Sequence, residues 1–177
     1  MTGSPAWLVV IDMQTAFGDP SSEWVVEGWA EALQTVRRLV DEFGERVVHT
    51  RFVRDPAESG QWHAYYDRWS SFRVEPEDAV WELTLAPPAT ATVVDAPTFS
   101  KWVPALEAVV GDAPLVICGV ATECCVLSTA LAAADAGRRV SVVADGCAGA
   151  TSALHEQALA IMDTMAPLIS VTTAHRC

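Results

Sequence analysis

Basic residues are scarce: 177 residues carry 11 Lys and Arg against 23 Asp and Glu, a formal net charge of −12. Such a charge repels phosphate backbones and anionic lipid surfaces, which argues against nucleic-acid and peripheral-membrane roles. Long apolar runs are also missing, since none reaches the roughly 18 residues of a spanning helix. The start at Met1 to Pro5 lacks the basic n-region of a secretory signal. A cytoplasmic protein is the expectation. The cysteines Cys118, Cys124, Cys125, Cys147 and Cys177 are odd in number and lack C-x-x-C spacing, so neither a disulfide scaffold nor a zinc knuckle is indicated. Repeats, low-complexity tracts and an internal boundary are absent too, and 51% hydrophobic with 19% charged residues fits a single globular domain over residues 1–177.

Short Val- and Ile-rich runs are present at Ala6–Ile11, Arg46–Thr50, Thr92–Asp95, Pro114–Cys118, Arg139–Ala144 and Leu168–Thr172. They read as buried strands. Helical periodicity lies between most of them, as in Trp29, Leu33, Val36, Leu39 and Val40, in Val126, Thr129, Ala130 and Ala133, and in Leu154, Ala158, Ile161 and Met165. Gly44, Gly111 and Gly137 close helices ahead of strands. The alternation predicts an α/β fold of parallel crossover units, with ligands beyond the carboxyl ends of the strands. The segment Asp55–Pro88 breaks the rhythm and reads as an irregular excursion rich in aromatic residues.

Two strand ends carry chemistry. Val9-Val10-Ile11-Asp12-Met13-Gln14 puts a carboxylate where an apolar run meets the crevice, and a buried carboxylate needs a cation or a proton-transfer role. Gly119-Val120-Ala121-Thr122-Glu123-Cys124-Cys125-Val126 puts two thiols at a helix start, where free amides and the helix dipole lower a thiol's pKa. Adjacent helical positions diverge by about 100°, so one thiol is expected to face the crevice and its neighbour to pack.

V-V-I-D-M-Q-T-A-F followed by G-V-A-T-E-C-C-V-L-S-T-A resembles the isochorismatase-like cysteine hydrolases over nearly the whole chain. The resemblance implies a three-layer αβα sandwich around a six-stranded parallel sheet, Rossmann-like, with an Asp, Lys, Cys triad at its carboxyl edge. It selects Cys125, six residues after Gly119, as nucleophile and leaves Cys124 structural. It further implies a cis peptide between Val120 and Ala121, and an oxyanion hole from the Ala121 and Cys125 amides. Asp12 is the implied acid and base. The family's lysine pattern aligns with Ala96, where this chain has none, and Lys101 in T-F-S-K-W is taken to reach the same point. The alternative is a solvated Lys101 and an incomplete triad.

Nicotinamidases of this family place D-x-H after the second strand, whereas this chain has Phe52-Val53-Arg54. No metal and no organic cofactor are expected. Gln14, Phe17, Arg51, Trp62, Tyr66 and Trp102 are the expected substrate-pocket residues, with Arg51 available to an anionic group. Arg54 reads as solvated charge. Trp62, Tyr65, Tyr66 and Trp69 fall on one helical face and serve a pocket wall, a subunit contact or the core. His155 is read as a structural hydrogen-bonding residue, and Asp145 as holding the turn beneath the nucleophile's helix.

These residues point to a metal-independent hydrolase of a small amide or ureido C–N bond. The alternatives are an isochorismate-type vinyl-ether hydrolase and a non-catalytic binding or assembly module. The expected partners are a small-molecule substrate and further copies of the chain, as a dimer or tetramer.

Overall fold

The computed structural model describes residues 4–88 and 91–176. Cys177 and Met1–Gly3 lie outside them. Each predicted strand is present within a few residues of its expected ends: β1 Trp7–Ile11, β2 Val47–Phe52, β3 Thr92–Ala96, β4 Leu115–Val120, β5 Val140–Ala148 and β6 Ile169–Thr172. They form one parallel sheet in the order β3-β2-β1-β4-β5-β6. Leu8, Val9, Val10 and Ile11 of β1 are fully buried, as expected of a central strand covered on both faces.

The helices are α1 Thr15–Gly18, α2 Trp29–Phe43, α3 Trp62–Arg68, α4 Pro104–Val110, α5 Leu127–Asp135 and α6 Ser152–Asp163. Strand progression reverses between β1 and β4, so right-handed crossovers place α2 on one face and α4, α5 and α6 on the other. That reversal opens a crevice at the carboxyl ends of β1 and β4. In α6 the buried residues are Ala158 and Met162, while Leu154 and Ile161 are exposed, so this helix is rotated from the face its sequence suggested.

Gly119 is indispensable to the seam between β1 and β4. Its φ is +115°, and a Cβ there would lie 2.1 Å from the Ile11 carbonyl oxygen. Any side chain would push apart the two strands that carry the site.

The excursion after β2 is more ordered than its sequence suggested. It contains α3 and two 3₁₀ turns, Ser70–Phe72 and Ala79–Trp81. Arg54, expected in solvent, is instead largely buried against Glu58, which also receives Arg73. Burial of a carboxylate between two guanidiniums pins the start of the excursion beside α3. Asp145 holds a different element from the one expected, because its Oδ1 accepts the Ala174 N–H at 2.8 Å and ties down the chain after β6. His155 makes the structural contact foreseen, its Nδ1 lying 2.8 Å from Thr122 Oγ1.

Candidate active site

Asp12 follows β1 with φ +48°, a left-handed conformation rare for a non-glycine residue. Thr50 of the neighbouring strand holds it there. The Thr50 hydroxyl accepts the Asp12 N–H at 3.2 Å and donates to Oδ1 at 2.7 Å. The other carboxylate oxygen, Oδ2, is buried and receives no hydrogen bond among the described residues.

The partner of Oδ2 is a charge. Lys101 Nζ lies 3.1 Å away, and both side chains are fully buried. Lys101 is the chain's single lysine. Its ammonium also donates to the carbonyls of Thr98 at 2.7 Å and Ala96 at 3.3 Å, and sits 4.5 Å from the centre of the Phe52 ring. The side chain thus returns to the strand end at Ala96, where the sequence pattern lacked a lysine. A solvated Lys101 does not describe this molecule.

Cys125 lies in a π-helical turn, Thr122–Val126, that joins β4 to α5. The Ala121 carbonyl accepts the N–H groups of Cys124 at 3.1 Å and Val126 at 3.2 Å. Thr129 links this turn to the lysine, since its hydroxyl donates to the Cys125 carbonyl at 2.6 Å and accepts the Lys101 N–H at 2.8 Å. The peptide between Val120 and Ala121 is cis.

One expectation about the thiols is corrected. Burial, followed by the charge of Asp12, pushes the Cys125 thiol well above its ordinary pKa, with Lys101 acting in opposition. Cys124 is half-buried and packs against the core, as expected, and it also lines the same cavity as Cys125. Burial and the charge of Glu123 raise Cys124 to about 11.

The cavity above Cys125 measures about 160 Å³ and is walled by Phe17, Trp24, Phe52, Tyr65, Trp69 and Phe99. Ala121 also lines it. Trp24 organises this wall, stacking on Phe72 at 3.7 Å between ring centres and meeting Phe52 edge-on at 5.6 Å. Sequence reasoning missed Trp24, a single aromatic in a coil without periodicity.

Of the expected pocket residues, only Phe17 lines this cavity. Gln14 is fully buried and spends its amide on the backbone, donating to the Phe52 and Trp81 carbonyls and accepting the Phe52 N–H. It clamps the excursion to β2. Arg51 makes a two-pronged ion pair with Asp95 at 2.8 and 2.6 Å. Trp62 and Tyr66 line a separate 180 Å³ cleft beside Glu58. Trp102 lies under the Arg138 guanidinium.

No three His, Cys, Asp or Glu side chains converge at metal-binding distance among the described residues. The stretch after β2 supplies a phenyl ring and a guanidinium already paired with Glu58, which are not ligands for a divalent ion.

Comparison with known proteins bears on the family and the fold. Residues 6–173 match the family model described as Isochorismatase domain. A cysteine hydrolase from Pseudomonas syringae pv. phaseolicola 1448A superimposes with a TM-score of 0.84 at 20% identity, over 97% of this chain and 89% of that one. An isochorismatase-like hydrolase from Alkaliphilus metalliredigens gives 0.79 at 18% identity, over 98% and 96%. The pyrazinamidase of Pyrococcus horikoshii in complex with zinc gives 0.77 at 24% identity, over 96% and 99%. At these identities the likeness is one of fold. No curated protein gave a significant sequence match.

Proposed function

Because the chain belongs to the isochorismatase domain family, we propose that it is a cysteine hydrolase cleaving the C–N bond of a small amide or ureido substrate through a thioester. The observation that carries this reading is that the buried Asp12–Lys101 pair meets the Cys125 thiol, which hydrogen-bonds the Asp12 carboxylate.

The buried thiol loses its proton for attack, and Asp12 is the base that receives it. Sulfur bonds to the substrate carbonyl carbon, and the carbonyl oxygen takes up negative charge at the Ala121 and Cys125 amides. Asp12 returns the proton to nitrogen, the C–N bond breaks, and the amine departs. Water then adds to the thioester with its proton passing to Asp12, and the C–S bond breaks to release the acid and restore the thiol. Lys101, 3.1 Å from Asp12 Oδ2, stabilises negative charge at the reaction centre, which matters in a site without bulk water. The cavity of about 160 Å³ suits a small substrate.

A panel of small amides and ureas screened for ammonia release tests the proposal, with intact-mass detection of an acyl adduct on Cys125. Release that is abolished in Cys125→Ser supports it. Full activity in Cys125→Ser, or no release from any member of the panel, defeats it.

A further inference from the structure

Among the described residues, no basic side chain lines the cavity above Cys125. Its lining is apolar apart from two thiols, the Tyr65 hydroxyl, the Trp indoles and two carboxylates, Glu23 and Glu123. Glu23 is exposed and takes a hydrogen bond from Ser71 on one oxygen. Glu123 is partly buried, and its Oε1 accepts the Ala150 N–H at 2.9 Å. Its Oε2 is shut from solvent with no hydrogen-bond partner, pressed so close to Gly149 that a Cβ there would stand 2.6 Å away.

Most cations nearby are committed elsewhere, and exposed Arg68 lies over the Trp69 ring of the cavity wall at 5.1 Å. Arg51 is held by Asp95, Arg54 and Arg73 by Glu58, and Lys101 by Asp12 and two carbonyls. An anion entering this space would meet the like charge of Glu23 and Glu123. We infer that the site admits uncharged or cationic acyl groups and excludes carboxylate-bearing ones, with Glu23 and Glu123 as the discriminating residues. This rests on the reading of Cys125 as the reacting thiol. It also speaks against an isochorismate-type substrate, which is an anion.

The test needs no turnover. Alkylation of Cys125 by neutral iodoacetamide and anionic iodoacetate is followed by peptide mapping at pH 8, each rate divided by that of N-acetylcysteine. The expected result is at least a tenfold normalised preference for the neutral reagent, which narrows at least threefold in Glu23→Gln and further in Glu123→Gln. Both changes remove charge while keeping an acceptor for Ser71 and Ala150, and Glu23→Gln, on an exposed residue, suffices if the second variant does not fold. A cationic methanethiosulfonate should likewise outpace its sulfonate analogue. Equal normalised rates, a preference unchanged in Glu23→Gln, or a Cys125 inert to every reagent overturns the inference. Failure of the amide panel with the charge preference intact sinks the amidase reading and leaves this one standing. Turnover of carboxylate-bearing amides as fast as their neutral counterparts does the reverse.

Discussion

Lys101 Nζ lies 3.1 Å from Asp12 Oδ2, with both side chains fully buried and the remaining reach of the ammonium spent on the carbonyls of Ala96 and Thr98. Two charges withdrawn from water are tolerable only as a pair with their other hydrogen-bonding capacity filled. The arrangement commits one lysine to one carboxylate.

Lys101→Met removes the charge and keeps the bulk. The Cys125 thiol, which Lys101 holds down against burial and Asp12, should titrate higher still. Turnover should fall by about two to four orders of magnitude, as for an electrostatic group at a reaction centre. Stability should fall by about 3–5 kcal/mol, because Asp12 is left buried and unpaired. Alkylation–pH profiles, kcat and thermal melts check the three effects. A variant as active as the parent would show that the pair is structural.

Cys124 and Cys125 share the cavity but should not share the chemistry. Cys125→Ser should show no acyl adduct and no turnover, whereas Cys124→Ser should keep kcat within about tenfold of the parent and alter mainly KM, as for a wall residue that binds ground and transition states alike. The reverse pattern would reassign the nucleophile.

Glu58 anchors the aromatic excursion, and its pH dependence follows from its partners. Hydrogen bonding from Arg73 first, opposed by burial and reinforced by Arg54, lowers the carboxyl to about 2. A depressed folded-state pKa stabilises the fold above the unfolded value of 4.5, and that contribution is lost as pH falls toward 2. Melting temperature should therefore drop between pH 4.5 and 2, and Glu58→Gln should melt lower at pH 7 with a shallower acid slope. An unchanged slope would show that the ion pairs contribute nothing.

Turnover should survive exhaustive chelation, because Phe52, Val53 and Arg54 offer no ligand set after β2 and Arg54 is paired with Glu58. Activity lost with EDTA and restored by zinc would contradict this reading of the donor chemistry.

Local pattern carried much of the molecule. The six apolar runs were legible because a strand covered on both faces must be apolar at nearly every position. The need for glycine at 119 belongs to the motif, since only hydrogen fits opposite the Ile11 carbonyl. Asp12 and the Cys124–Cys125 segment stood out because each follows a strand of the pair where the sheet's progression reverses, while the choice of Cys125 came from the family resemblance. The reach of Lys101 was not, because nothing in T-F-S-K-W says that a side chain four carbons long turns back to Ala96 and across to Asp12. Nor could periodicity place Trp24, Glu23 and Glu123 around one cavity. They come from a coil and a π turn far apart in the chain, and only the tertiary fold brings them together. Pattern determines which face of a strand or helix is buried. The tertiary fold alone decides which distant side chains meet there, because that depends on the paths of segments whose local sequence favours no single conformation.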